Sequence, residues 1–206
     1  MSDKRNQGLA LIISGPSGVG KGTVISKLLE SFSCNGDIKD TSSNFELSLS
    51  YSTRKPRGNE TNGKDYIFVS VEEFKQKIAN SEFAEWAQVH GNYYGTSVNY
   101  LKEIINGKRV IFEIDVQGAK KLINLCQERQ CNNLSIFLEP PSMADLVARL
   151  NKRGTETEES LAIRYKNAQN ELAAGCYFDK TIVNDRIEQT VVEIKKIIME
   201  KESGNE

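Results

Sequence analysis

Leu9-Ala-Leu-Ile-Ile13-Ser-Gly15-Pro16-Ser17-Gly18-Val19-Gly20-Lys21-Gly22-Thr23 decides the fold of this 206-residue chain. Its first five residues are uniformly apolar, short enough for a buried strand, and stopped by a Ser-Gly-Pro turn. From Lys21 onward, Val24, Ile25, Leu28, Leu29 and Phe32 recur at helical spacing. The order is strand, glycine-rich turn, helix. Gly15 to Lys21 matches G-x-x-x-x-G-K. The spacing has a chemical reason. A wrapped loop turns successive backbone N–H groups inward to hold phosphate oxygens, and glycines permit the angles and the close approach. The following helix adds its N-terminal dipole, and the lysine reaches the outer phosphates. Chance gives such a match in roughly 6% of chains this long. The strand before it and the helix after it lower that further.

One position departs from the usual pattern. Gly22 follows Lys21 where the motif has Ser or Thr, and Thr23 comes next. The usual hydroxyl ligand for Mg²⁺ is therefore missing. The expectation is a metal held mainly by phosphates and water, with Thr23 nearby and no dedicated protein metal site.

Further core strands are expected at Arg109–Asp115, Leu134–Leu138 and Lys180–Val183, with helices at 71–80, 99–106, 118–128 and 191–199. Ser142-x-x-Asp145 reads as a capping box opening another helix. Residues 33–47 are polar and irregular and read as a loop or insertion. Strands alternate with helices, which predicts an α/β fold: a parallel sheet covered on both faces. Residues 48–100 and 142–176 break the alternation and read as lobes inserted into a core of 1–47, 101–141 and 177–206.

Composition narrows the function. Lys and Arg total 27 against 28 Asp and Glu, a net charge of −1. A nucleic-acid binder is not expected, because such proteins carry a basic excess. No apolar run approaches the ~20 residues of a membrane helix. The four cysteines, Cys34, Cys126, Cys131 and Cys176, form no C-x-x-C pair and read as free thiols of a cytoplasmic protein. His90 is the only histidine, and no nucleophile motif accompanies it. The oligomeric state is open.

Ser50-Tyr-Ser-Thr-Arg54-Lys-Pro-Arg57-Gly-Asn-Glu60-Thr-Asn-Gly63-Lys-Asp-Tyr66 is the second informative stretch. Two forked guanidiniums three residues apart suit a dianionic monophosphate, and Tyr66 offers a further donor. Glu85 lies beside Trp86. Asp115 is expected to end its strand at the same sheet edge as the phosphate loop, where ligands of open α/β sheets bind. Guanine presents N1–H and N2–H₂ as donors and O6 as acceptor. Carboxylates at Glu85 and Asp115 suit the donors, and a hydroxyl at Ser50 or Thr96 suits O6. Adenine has an unprotonated N1 and fits this set poorly.

These stretches, with Gly91–Thr96, Glu113–Gly118, Arg149–Glu159 and Ile182–Asp185, resemble the guanylate kinase family over about residues 9 to 200. The resemblance implies Mg²⁺-dependent transfer of the ATP γ-phosphate to GMP, with lobes 48–100 and 142–176 closing over GMP and ATP. It implies that Arg54, Arg57, Tyr66 and Tyr94 hold the GMP phosphate, and that Ser50, Glu85, Thr96 and Asp115 read guanine. Gly15 to Thr23 (Gly15, Pro16, Ser17, Gly18, Val19, Gly20, Lys21, Gly22 and Thr23) would bind ATP, with Asn184 and Asp185 near its base. Lys21, Arg149, Arg153 and Arg164 would carry the catalytic charge. Glu113 stands where the family often has Asp. The 34–43 run is an insertion, and Asn59 replaces a common glycine. Two other readings stay open: a non-catalytic guanylate-kinase-like binding module, and a kinase for another nucleoside monophosphate. No general base is evident or required, since a phosphate oxygen is already a nucleophile.

Overall fold

The computed structural model describes residues 8–33, 45–89, 91–151, 165 and 167–203. A five-stranded sheet forms the centre: β1 (Leu9–Ser14), β2 (Phe45–Leu47), β7 (Arg109–Glu113), β8 (Asn133–Glu139) and β9 (Lys180–Val183). They run in the order β2-β7-β1-β8-β9. Every pair is parallel, as the alternation predicts. Parallel strands covered on both faces bury every side chain, which is why β1 reads as unbroken apolar sequence. Leu9, Leu11 and Ile13 enter one core beneath α1 (Lys21–Ser33) and α7 (Ile187–Ser203). Ala10 and Ile12 enter the other, beneath α3 (Asn99–Ile105) and α4 (Val116–Glu128).

A second, smaller sheet stands beside the first. It joins β3 (Ser50–Ser52), β4 (Ile67–Phe68), β5 (Phe83–Val89) and β6 (Asn92–Ser97) in the order β4-β3-β6-β5. Only β3 and β4 pair in parallel; β6 runs antiparallel to β3 and β5. Its cover is α2 (Val71–Ala79), capped by Ser70 Oγ, which accepts the Glu73 N–H at 3.1 Å. Phe74 is fully buried, with its ring centroid 4.5 Å from that of Phe83 and 5.5 Å from that of Tyr93. Gly95 makes room for it, because a Cβ there would lie 2.9 Å from Phe74 Cζ. Two contacts tie the sheets together. Leu49 N–H donates to the Tyr100 hydroxyl at 2.8 Å, and Lys121 Nζ donates to the Trp86 carbonyl at 2.6 Å.

Several expectations need correction. Residues 45–47 are not loop: Phe45–Leu47 pairs with β7 as the edge strand of the core sheet. A three-residue strand shows no periodicity, and it is held by Phe45 packing on Phe32 at 5.1 Å. The strand expected to reach Asp115 stops at Glu113, because Asp115 leaves the ladder to cap α4. The last helix begins at Ile187 rather than Val191 and runs to Ser203. The Ser142 cap is present: Ser142 Oγ accepts the Asp145 N–H at 3.1 Å ahead of α5 (Met143–Asn151). Helical residues 167–172 form α6. The 34–43 insertion and residues 152–164 of the expected lid lie outside the described residues.

Phe74→Ala removes the ring around which the second sheet packs. It should cost about 3–5 kcal/mol of unfolding free energy, measured by urea titration.

Candidate functional site

One cleft of about 300 Å³ opens between the C-terminal edge of the parallel sheet and the second sheet. The phosphate loop forms one wall. Gly15 holds φ +147°, and a Cβ there would lie 2.4 Å from the Leu138 carbonyl oxygen, so the loop leaves β1 pressed against β8. Gly20 holds φ +103°, with Asn184 Nδ2 only 2.8 Å from where its Cβ would stand. Lys21 folds back across the loop, donating to the carbonyls of Gly15 at 2.7 Å and Pro16 at 3.3 Å. The first turn of α1 carries no acidic residue to spend its N-terminal dipole.

The loop is held from behind. Asn184 is buried, and its Nδ2 donates to the Val19 carbonyl at 2.8 Å while its Oδ1 accepts from Thr190 at 3.0 Å. Arg149 donates to the same Val19 carbonyl at 3.2 Å and twice to the Asn184 carbonyl at 3.1 Å. Asn184 and Arg149 thus stand behind the loop rather than in the cleft, and Asp185 is exposed beside them.

The second sheet forms the facing wall. Its register sets Ser50, Thr96 and Glu85 side by side on three neighbouring strands. Glu85 is 6% exposed and Thr96 fully buried; the Thr96 hydroxyl donates to Glu85 Oε1 at 2.7 Å. Thr96 therefore positions the acid, and its proton is already committed. Burial pushes the Glu85 carboxyl up to about 7, and the nearby Asp115 adds to the rise. The Thr96 bond and Lys121 oppose it. Asp115 accepts the Gly118 N–H at 2.7 Å, which aims its side chain at the same place. Gly118 has no side chain for a reason: a Cβ there would lie 2.6 Å from Glu85 Oε2 and 3.5 Å from Asp115 Oδ1.

Arg54 is nearly buried and doubly bonded to Glu60, at 2.5 and 2.7 Å. It lies over the Tyr66 ring, 4.8 Å from the centroid, and Tyr66 meets Tyr94 edge-on at 6.3 Å. Glu60 also accepts the Arg57 N–H at 2.7 Å, so one carboxylate braces both arginines. Burial and the facing Glu113 carboxylate raise the Tyr66 hydroxyl and keep it a donor.

Of the expected site residues, Gly15, Ser17, Gly18, Gly20, Lys21, Gly22, Ser50, Arg54, Arg57, Tyr66, Glu85, Tyr94 and Asp115 line this cleft together. Val19 is buried beneath it, and Thr23 is exposed on α1. Arg153 and Arg164 lie outside the described residues. The bracing roles of Glu60, Gly118 and Thr190 were missed. Glu60 and Gly118 stand inside the quoted motifs, so only their partners were hidden. Glu171, which lines the cleft beside Ser17, has no sequence signal of its own.

Comparison with known proteins follows the same lines. The guanylate kinase family model matches residues 7–201. A guanylate kinase of Clostridium tetani is 44% identical over 93% of this chain and 86% of its own length. One from Mycoplasmoides gallisepticum is 42% identical over 97% and 95%. The crystal structure of guanylate kinase from Anaplasma phagocytophilum superimposes with a TM-score of 0.74. It shares 33% identity and covers 96% of this chain and 87% of its own.

Glu85 should make stability depend on pH. Its folded value lies above the ordinary carboxyl value, so the folded state binds the proton more tightly. The cost of burying the charge is absent below about pH 4.5, grows through the interval up to 7, and is full above it. Glu85→Gln should therefore raise the unfolding free energy by up to about 3 kcal/mol at pH 8. The gain should shrink toward zero near pH 5, in parallel urea titrations.

Proposed function

The chain belongs to the guanylate kinase family, and from that membership and the cleft we infer that it transfers the ATP γ-phosphate to GMP, giving ADP and GDP. The observation that carries this is the cleft itself: a phosphate loop faces a buried acid and two braced arginines across about 300 Å³. We read 48–100 as the GMP lobe and 142–176 as the lid over ATP. No described helix is long and apolar enough to cross a membrane. With Cys126, Cys131 and Cys176 free, the working compartment in this reading is the cytoplasm.

GMP binding divides between two ends of the second sheet. Arg54, Arg57, Tyr66 and Tyr94 meet the monophosphate. Glu60 keeps the planar Arg54 fork aimed, so little side-chain freedom is lost when phosphate arrives. Glu85, held by Thr96, accepts guanine N1–H and N2–H₂ with Asp115 beside it. Ser50, which lines the cleft, is the hydroxyl for O6, since Thr96 is committed to Glu85. AMP offers no proton at N1 and leaves a buried carboxylate unpaired, which costs more than a missing contact.

The phosphate loop N–H groups and Lys21 hold the ATP phosphates, turning Lys21 outward from the Gly15 and Pro16 carbonyls. Arg153 and Arg164, with Arg149 once it leaves the Val19 and Asn184 carbonyls, meet the charge on the transferred group, and Asn184 and Asp185 stand on the ATP side. The rate comes from alignment and preorganised charge rather than from a base. Among the described residues no three His, Cys, Asp or Glu side chains group as a metal cage. In this reading Mg²⁺ would be held mainly by nucleotide phosphates and water. Glu113, whose carboxylate oxygens lie 3.5 and 3.7 Å from where a Gly22 Cβ would stand, is the acid nearest that position. The ion supplies charge neutralisation when bound.

The test is ADP formation by the purified chain with ATP and Mg²⁺, offering GMP, AMP, CMP and UMP separately. Turnover on GMP alone, lost in Lys21→Ala, is the expected result. Turnover on AMP but not GMP would move the assignment to another monophosphate, and nucleotide binding without turnover to a binding module. In the same assay, Glu60→Gln should raise the KM for GMP about tenfold, a loss of roughly 1.4 kcal/mol in phosphate binding. The KM for ATP should stay near the parent value.

A further inference from the structure

We propose that Lys121 is a positioning residue for base recognition: by holding the Trp86 carbonyl it fixes where the neighbouring Glu85 meets guanine. The inference rests on the GMP reading of the cleft. Among the described residues β5 is an edge strand of the second sheet, paired only with β6. Its register slips between Phe83, which lies opposite Ser97, and Glu85, which lies opposite Thr96. Successive residues of β6 face opposite sides of the sheet, so the slip turns Glu85 to the face opposite Phe83. Phe83 accordingly stacks on Phe74 of α2, while Glu85 lines the cleft. The acid is thus aimed by a local break in the ladder, where the strand has fewest bonds to hold it in place.

α4 supplies the missing hold. Asp115, Gly118 and Lys121 stand three apart, along one face at the head of the helix. Asp115 accepts the Gly118 N–H at 2.7 Å. Gly118 comes so close to Glu85 that a Cβ there would lie 2.6 Å from Oε2. Nearly one turn on, Lys121 Nζ donates to the carbonyl of Trp86, the residue directly after Glu85, at 2.6 Å. The same ammonium stands 5.2 Å from the Trp86 ring centroid. The helix therefore meets β5 at two points: bare backbone against the carboxylate, and a charged donor on the next carbonyl. Gly118 limits how near Glu85 can come, and Lys121 decides where it stays. Its charge also favours the ionised carboxylate, the form that accepts from N1–H, against burial and Asp115. Arg54 and the phosphate loop have braces of their own in Glu60 and Asn184. The influence of Lys121 is therefore confined to the base.

The experiment is steady-state turnover of the full chain with ATP, Mg²⁺ and GMP. Lys121→Met keeps the unbranched stem and removes the donor and the charge. The KM for GMP should rise about fivefold, the loss of one charged hydrogen bond. The kcat and the KM for ATP should stay within about twofold of the parent. Lys121→Arg, which still offers a charged donor, should recover most of the loss. In a Glu85→Ala background no acid is left to position, and Lys121→Met should then change the KM for GMP by less than about twofold. An unchanged KM for GMP would overturn the proposal, as would an equal rise in the KM for ATP or the full loss persisting in the Glu85→Ala background. Should Lys121→Met fail to fold, Lys121→Ala puts the same question. A parent chain that turns over GMP beside an indifferent Lys121→Met sinks this inference alone. A parent inactive on GMP sinks the GMP reading and this inference with it.

Discussion

The Val19 carbonyl holds the cleft in shape. A phosphate loop works only if its N–H groups face inward, and that forces carbonyls outward, where each needs a donor. Asn184 and Arg149 supply two donors to this one oxygen. Asn184 is fixed in turn by Thr190, at the start of α7, so the last helix of the chain helps to set the first loop. Gly15 and Gly20 are bare because the loop lies against the Leu138 backbone and the Asn184 amide. Loss of any of these braces would act on the loop before it acted on a ligand.

The facing wall is arranged by the opposite economy. It stores an unfavourable charge at the place proposed for reading the base. Glu85 is buried without a cation bonded to it among the described residues, and the Thr96 hydroxyl, with Lys121 nearby, is its main compensation. A residue of this kind lowers stability and raises discrimination, since a ligand lacking the matching donors leaves the acid worse off than water would. Arg54 follows the same logic with a different partner. Glu60 satisfies the guanidinium while no phosphate is bound and still leaves the Tyr66 face stacked on it. Glu60 takes both terminal nitrogens of the Arg54 fork, and one of them also donates to the Lys55 carbonyl at 3.0 Å.

Legibility in the sequence tracked how local each constraint is. The phosphate loop, β1 and α1 form one continuous signal, and the parallel sheet follows from repeated apolar runs of the same kind. The hairpin of β5 and β6 has no such signal. Glu85 and Ala87 line the cleft between exposed Trp86 and Gln88, while Phe74 of α2 packs against Phe83, Tyr93 and the face of Gly95. Phe45–Leu47 was invisible because its partner β7 lies some sixty residues on. Asp115 was placed at the right edge for the wrong reason. It leaves the strand to cap α4, and that cap is what brings it beside Glu85. Gly118 reads as part of a motif, yet its cause, the close approach of Glu85, is a contact across 33 positions.

The carboxylates of the cleft therefore divide by what they hold. Glu60 holds an arginine, Asp115 holds a helix end, and Glu85 is held by a threonine. Each is fixed by a partner that does not need to move when a ligand enters. A site whose acids are preorganised gains rate from their rigidity. In the function proposed above, these fixed acids are what lets the cleft choose one monophosphate over another without rearranging when it binds.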